Sequence, residues 1–144
     1  MANLIMILSL GLVIVFVGLG LIHIFWLAGG KWGLSQAIPA DPDGVKVMQP
    51  GWSATLMVGL GLFGFALFYG LRSGMVDFLT PDWVLKYIGW VIPGIFLFRA
   101  VGDFRYVGFF KRIRNTEFGR WDSRLFSPLC LAIAVVGITI QLLA

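Results

Sequence analysis

The sequence is short of charge for its length. Charged residues make up only 12% of the 144 positions, whereas about a quarter is usual for a soluble domain. A chain of this size has a high surface-to-volume ratio and would need polar residues to cover itself in water. The scarcity of charge therefore excludes a soluble globular enzyme, a disordered tail and a nucleic-acid-binding module.

Chemically reactive side chains are also scarce. The chain has one cysteine, Cys130, and one histidine, His23, so an intramolecular disulfide is impossible. A metal site of the usual kind needs three or four ligands, which this sequence does not assemble. It also lacks a phosphate-binding glycine loop, a nucleophile elbow and an HExxH zinc motif. These absences predict no metal and no catalytic residue, and they leave any other cofactor unknown.

The sequence is rich in long apolar segments. Hydrophobic residues make up 59% of the chain and form four long runs, each near the roughly 20 residues that a membrane-spanning helix needs. We therefore predict an all-α membrane protein, a single four-transmembrane-helix bundle over residues 1–144 with helices at about 3–28, 52–71, 83–110 and 125–144. The start of the last helix stays open between Ser127-Pro128 and Asp122 followed by a kink at Pro128.

Basic residues predict the orientation of the four helices. With four spans, the two long connections share one side of the membrane and both termini share the other. The first side holds eight basic residues and the second holds two, Arg72 and Lys86. By the positive-inside rule, we expect the long connections in the cytoplasm and both termini outside. The eight are Lys31, Lys46, Arg105, Lys111, Arg112, Arg114, Arg120 and Arg124.

Two ionisable residues near the end of the third run form a candidate site. Arg99 and Asp103 are four residues apart, so on a continuous helix they share a face and can pair. A charge within a span is costly and indicates a function by default, although an arginine near a helix end can also extend its side chain to the lipid headgroups. The functional alternative is an anion or headgroup site of Arg99, Arg105 and His23, oriented by Asp103 and Asp122.

His23 lies in the first run with Trp26 on the same helix face. Its imidazole is either a structural hydrogen-bonding group or a group that moves a proton or binds a metal or haem. A haem held by two histidines would need a symmetric dimer. Gly11 and Gly18 in the same run permit close helix packing, either inside the bundle or in a homo-oligomer.

The stretch 104–114 alternates aromatic and basic residues. A single-stranded RNA site can look similar, but next to a spanning helix this pattern is typical of an interfacial anchor, with aromatics in the acyl boundary and cations on phosphates. We expect Lys111, Arg112 and Arg114 to form this anchor. The predicted partners are anionic lipid headgroups on the cytoplasmic side, with a membrane protein or a second copy as a further partner and no nucleic acid.

Two blocks of residues carry a family resemblance. The first contains His23 to Trp26, then Gly29-Gly30 and Ile38-Pro39; the second contains Arg99 to Phe104, Gly108, Thr116 to Phe118, Asp122 and Ser127 to Leu129. Together they resemble a family of short bacterial four-helix integral membrane proteins of uncharacterised function. The resemblance implies a multi-pass protein of the bacterial cytoplasmic (inner) membrane, but no reaction. It also implies a characteristic polar set of His23, Trp26, Arg99, Asp103, Thr116 and Asp122.

Three functions remain open from the sequence. The first is a non-enzymatic accessory, interaction or lipid-contacting subunit, which needs only a stable bundle with a basic face. The second is an oligomeric small transporter or channel. The third is a membrane enzyme that acts on a lipid, quinone or isoprenoid through His23, Arg99 and Asp103, and it requires His23 to lie within hydrogen-bond reach of an acid.

Overall fold

The computed structural model describes residues 1–47 and 49–144, and these form an all-helical protein. The elements are α1 (Ala2–Leu27), α2 (Leu34–Ala37), α3 (Trp52–Ser73), α4 (Asp82–Val101), α5 (Glu117–Trp121) and α6 (Ser127–Leu143), with a π-helical turn at Asp122–Phe126 that joins α5 to α6. Four helical stretches are long and apolar enough to cross a membrane, and the described residues contain no β-strand. The predicted fold class is confirmed.

The ends of the third and fourth helices differ from the prediction. Helix α4 ends at Val101, not near residue 110, because Gly102 has a φ of +85° and takes the chain out of the helix. The fourth helix starts at Glu117, ahead of both predicted starts, and continues through Asp122 into α6. Pro128 therefore lies inside a continuous helix, directly after the π-helical turn at Asp122–Phe126, where its missing N–H leaves one carbonyl of the preceding turn without a helical hydrogen bond.

The helices pack as two pairs. Helix α1 lies along α3 and α4 lies along α6, while α1 also contacts α6 and joins the pairs. Phe16 of α1 is fully buried at the centre, edge-on to Phe65 at 5.6 Å and stacked on Tyr69 at 5.9 Å. Aromatic pairs at these distances add specific attraction to ordinary packing. The centre of the bundle is therefore a cluster of aromatic rings.

The bundle has two distinct ends. At one, which we name the loop end, α2 of the first long connection contacts α5 of the second. At the other, the terminal end, Ala2, residues 71–74 and Ala144 line one pocket. The two long connections thus share one end, and the ends of the chain share the other.

Candidate functional site: a buried ionic network at the loop end

Asp122 is the centre of the polar structure at the loop end. Its side chain is fully buried, and its Oδ1 accepts a hydrogen bond from Arg99 Nη2 at 2.8 Å. Its Oδ2 accepts from the Gly108 backbone N–H at 2.8 Å, from Lys111 Nζ at 3.0 Å and from Ser127 Oγ at 3.0 Å. A carboxylate out of water needs this degree of pairing. Asp122 therefore links α4, the long connection between α4 and α5, and α6.

Lys111 is the second buried charge of this network. Its side chain has no exposed surface, and its ammonium donates to Asp122 Oδ2, to Gly108 O at 3.0 Å and to Ser123 Oγ. A lysine has three N–H donors, and here all three are used. The structure thus corrects the predicted anchor: Lys111 cannot face headgroups, since its charge is neutralised inside the protein.

A tight loop between Gly102 and Gly108 brings Lys111 to Asp122. Both glycines have positive φ, +85° and +89°. A side chain on Gly102 would collide with the backbone of Val107, and one on Gly108 with the backbone of Val101. The Phe109 N–H closes the loop on Ala100 O at 2.8 Å. Only residues without Cβ allow this approach.

Asp103 stabilises this loop from within. Its Oδ1 accepts from the backbone N–H groups of Arg105, Tyr106 and Val107 at 2.8–3.0 Å. Desolvation acts to raise the pKa of Asp103, but the three backbone hydrogen bonds outweigh it and lower the pKa below its usual value. The predicted Arg99–Asp103 pair is wrong, because α4 ends between the two residues and Arg99 turns to Asp122 instead.

Thr116 positions the helix that carries Asp122. Its Oγ1 accepts from the Gly119 N–H at 2.9 Å and so caps the start of α5. The Thr116 side chain is buried at this cap. Thr116 belongs to the polar set that the family resemblance implies, and its contact gives it a structural role as the cap of α5.

His23 and Trp26 lie apart from this network. His23 Nδ1 donates to Leu19 O at 2.8 Å, its ring meets Trp26 edge-on at 5.0 Å, and Trp26 Nε1 donates to Trp32 O at 2.8 Å. Because a carbonyl only accepts, Nδ1 carries the proton and Nε2 is the acceptor of the neutral ring. Within residues 1–47 and 49–144, no hydrogen bond joins His23 to Arg99, Asp103 or Asp122.

The remaining predicted cations line the surface of the loop end. An open groove of about 500 Å³ is lined by Asp103, Phe104, Arg105, Arg112 and Ile113. Two hydrogen bonds, from the N–H groups of Arg112 and Ile113 to Arg105 O, join the backbones of three of these residues. We call this feature the basic groove.

One lining residue of the basic groove, Phe104, belongs to an exposed aromatic pair. Phe104 and Phe110 are exposed by 57% and 61% and pair at 6.3 Å. Arg114 is also exposed, although its guanidinium donates to Lys111 O and to Phe109 O. The groove thus joins exposed cations to an exposed aromatic pair.

No metal-binding cluster of three or more His, Cys, Asp or Glu side chains occurs in the described part of the chain. The two carboxylates of the site are occupied by donors from the protein, Asp122 by side chains and a backbone N–H and Asp103 by backbone N–H groups. The network is therefore suited to holding the loop end together.

Comparison with families of known proteins gives a match. A family model described as "Protein of unknown function (DUF3995)" matches residues 16–137, most of the 144-residue chain. The comparison with curated proteins and the comparison with solved structures found no match. The match covers all four long helices in whole or in part and confirms the predicted relationship to an uncharacterised family.

Proposed function

The chain belongs to the DUF3995 family of proteins of unknown function, and we propose that this member is a non-catalytic membrane protein that holds anionic lipid headgroups at its loop end. It is a multi-pass protein with four membrane-spanning helices. The proposal depends on one observation: the loop end fixes a basic groove in which Arg105 and Arg112 form no ion pair within the described residues, and the one carboxylate of the groove, Asp103, is held by backbone N–H groups.

The ion pairs of the protein show which cations are free for a ligand. Across the described residues, the ion pairs are Arg99 with Asp122 and Lys111 with Asp122. Arg105 and Arg112 are exposed, line the basic groove and take part in neither pair. A guanidinium presents a planar fork of donors that matches a phosphate. The groove therefore offers two phosphate-binding side chains on a fixed backbone.

The aromatic pair beside the groove supports a membrane surface as the partner. Phe104 and Phe110 are apolar rings left outside the core. Phe104 directly precedes Arg105 in the chain, and Phe110 lies two residues before Arg112. Exposed aromatics beside cations are typical of segments at the headgroup level. A soluble anion would give these rings no role, whereas the acyl boundary of a lipid leaflet covers them.

The distribution of charge supports the orientation. The loop end carries Lys31, Arg112, Arg120 and Arg124 as exposed cations, so the positive-inside rule favours a cytoplasmic loop end in a bacterial inner membrane. With Cys130→Ser as background, a cysteine introduced as Asp43→Cys should be shielded from an impermeant maleimide in intact cells. A cysteine introduced as Asp77→Cys should be labelled. The reverse pattern would contradict the orientation.

The contacts of the acidic residues support a role without catalysis. An enzyme of this composition would need a base near His23, yet Asp122 accepts four hydrogen bonds from within the protein and Asp103 accepts three. The imidazole itself is bonded to its own helix. Proton transfer needs a hydrogen-bonded donor and acceptor, and no such pair includes His23 and an acid among the residues described.

Lipid retention tests the proposal. The protein should be extracted in a neutral detergent, offered equal amounts of phosphatidylglycerol and phosphatidylcholine, and examined by native mass spectrometry. We expect the wild type to retain phosphatidylglycerol preferentially. The double variant Arg105→Gln/Arg112→Gln should weaken that retention about fivefold for each cation removed, from about 1 kcal/mol per basic residue at a membrane surface.

The matched control keeps the charge and changes only the side chain. Arg105→Lys/Arg112→Lys should retain most of the preference, because lysine binds phosphate as a point charge. If the wild type retains both lipids equally, or if the Gln variant behaves like the Lys variant, the proposed function is wrong.

A further inference from the structure

The basic groove contains an acidic side chain, which is unexpected in a site for anions. Asp103 lines the groove together with Arg105 and Arg112, and all three residues are exposed. A carboxylate repels a phosphate, so in a site that recognised charge alone its presence would weaken binding. The binding of charge therefore does not account for Asp103 in this position.

The loop between Gly102 and Gly108 uses only one oxygen of Asp103. Its Oδ1 accepts all three backbone hydrogen bonds, from Arg105, Tyr106 and Val107, and no hydrogen bond from residues 1–47 or 49–144 reaches its Oδ2. Asparagine, serine and threonine make turns of the same kind with a single neutral oxygen. The local fold thus requires neither the second oxygen nor the negative charge.

The Asp103 carboxylate also stands outside the ion pairs of the loop end. In the part of the chain that the structure describes, both ion pairs are made by Asp122, so neither groove arginine neutralises Asp103. Desolvation acts to raise the pKa of Asp103, but the backbone hydrogen bonds outweigh it and lower that pKa, so the carboxylate is ionised at neutral pH. The groove therefore presents a charged acceptor beside two charged donors.

The backbone holds the acceptor and the donors close together. The Arg105 N–H donates to Asp103 Oδ1 at 2.9 Å, and the Arg105 carbonyl accepts from the Arg112 N–H at 3.1 Å. The guanidinium of Arg105 lies over the ring of Tyr106, 5.1 Å from its centroid, which is within the range of a cation–π contact. This contact orients the cation without neutralising it.

The charges of the groove match one kind of headgroup. Two arginines and one carboxylate leave a single net positive charge, and a phosphodiester lipid with a neutral polar head carries a single negative charge. Hydroxyl groups on such a head can donate to a carboxylate while the phosphate accepts from the guanidinium groups. An ethanolamine head carries its own positive charge, so its lipid is neutral overall and would leave the charge of the groove uncompensated.

We propose that Asp103 selects the headgroup in the basic groove, where Arg105 and Arg112 bind the phosphodiester and Asp103 Oδ2 accepts a hydrogen bond from a hydroxyl of the head. The ligand class is a monoanionic phospholipid with a hydroxyl-bearing head, such as phosphatidylglycerol or phosphatidylinositol. This inference rests on the proposed function, and it adds the residue that distinguishes one anionic lipid from another.

Competition between two lipids of equal charge tests the selection. Phosphatidylglycerol and phosphatidylpropanol share the phosphodiester and a three-carbon head, but the second has no hydroxyl groups on that head. Both are offered in equal amounts, together with phosphatidylcholine, to the purified protein in neutral detergent, and retention is measured by native mass spectrometry. The wild type should retain phosphatidylglycerol about fivefold over phosphatidylpropanol, and both of them over phosphatidylcholine.

The same measurement separates this inference from the proposed function. Equal retention of the two anionic lipids, with both above phosphatidylcholine, would overturn the selection by Asp103 and leave the proposed function standing. Equal retention of all three lipids would contradict the proposed function itself.

Asp103→Asn keeps the oxygen that the loop uses and replaces Oδ2 with a neutral amide nitrogen. The preference for phosphatidylglycerol should fall to about twofold or less, because a neutral hydrogen bond is roughly half as strong as one to a charged group. Retention of phosphatidylpropanol should stay the same or rise, since a negative charge beside its phosphate has been removed. A residue that only held the loop would instead lower the retention of both lipids in parallel, and this result would refute the proposal.

Two further variants keep the test decisive. Asp103→Ser offers the loop one hydroxyl oxygen and has no second oxygen, so it should lose the preference in the same way if Asp103→Asn does not fold. Glu117→Gln removes an exposed acid from the same end of the bundle, outside the residues that line the groove, and should leave the preference unchanged. A loss of preference in Glu117→Gln would assign the effect to the overall charge of the loop end and contradict the role of Asp103.

Two more lipids identify the donor that Asp103 accepts from. Retention of phosphatidylinositol above phosphatidylpropanol, with the same dependence on Asp103, assigns the site to hydroxyl-bearing heads in general. Retention of phosphatidylglycerol alone restricts it to the glycerol head. A preference for phosphatidylethanolamine over phosphatidylglycerol that disappears in Asp103→Asn would show that the carboxylate binds an ammonium group, and the proposal would be wrong.

Discussion

The two ends of the bundle use their polar residues in opposite ways. At the loop end, Asp122 accepts four hydrogen bonds, and all three donors of Lys111 are used. At the terminal end, Arg72 has no carboxylate among the described residues, and the Tyr69 hydroxyl is buried without a partner. Among the described residues, the loop end pairs its buried cations with a carboxylate and leaves one buried donor, Arg99 Nη1, without a partner, whereas Arg72 at the terminal end has no ion pair.

This difference indicates where the protein is fixed and where it can bind. A buried network in which a carboxylate is paired with two cations makes a rigid unit, and removing the carboxylate leaves their charges uncompensated at a large cost in stability. Donors without acceptors have the opposite property, because a ligand that supplies the acceptor gains their interaction. We therefore regard the Asp122 network as the support of the basic groove.

The largest effect is expected from Asp122→Ala. The change leaves the ammonium of Lys111 buried without its carboxylate and removes the partner of Arg99. Breaking a buried ion pair in this way costs about 3–5 kcal/mol, so the variant should be poorly folded in detergent. Thermal or denaturant unfolding measures the loss, with Asp77→Ala at an exposed position as the control. A loss below about 1 kcal/mol would contradict the central role of Asp122.

A smaller effect, of about 2 kcal/mol, is expected from Lys111→Met. The variant loses the charged hydrogen bonds of the Lys111 ammonium, which together contribute about 2 kcal/mol. Asp122 keeps Arg99, Gly108 and Ser127 as donors. Arg112→Met at the next position is exposed and should change the free energy of unfolding by less than about 0.5 kcal/mol. Unfolding curves of the two variants compare a buried cation with a surface cation directly. Equal effects would mean that Lys111 is a surface residue after all.

The spanning helices could be predicted because the bilayer imposes a simple requirement on each of them. About 20 apolar residues are needed to cross it, and this length is visible in the sequence without any knowledge of packing. The shared helix face of His23 and Trp26 could be predicted for a related reason, since helical spacing alone brings i and i+3 together, and the two rings meet on that face. Both predictions need only the sequence of a single helix and no knowledge of how the helices pack.

The ionic network could not be predicted, because it depends on where one helix ends and on residues far apart in the chain. Helical spacing assigned Arg99 to Asp103, but Gly102 ends α4 between them, and the true partner is 23 residues away. Lys111 lies in a run of basic residues that predicts an exposed surface segment. It is buried because the loop between Gly102 and Gly108 brings it to Asp122. The two glycines were the available signal, since they permit a tight turn.

The smallest effect is expected at the terminal end, from Gln141→Ala. The variant removes one hydrogen bond from Arg72 and one to Lys86 O, but it leaves no buried charge newly unpaired, because Arg72 has no carboxylate partner to lose among the described residues. We expect a loss of about 1 kcal/mol in the free energy of unfolding, several times less than for Asp122→Ala. Leu142→Ala, at an exposed neighbouring position, is the matched truncation. A loss for Gln141→Ala as large as that for Asp122→Ala would show that the terminal end is also locked by its own contacts, and the contrast between the two ends would then disappear.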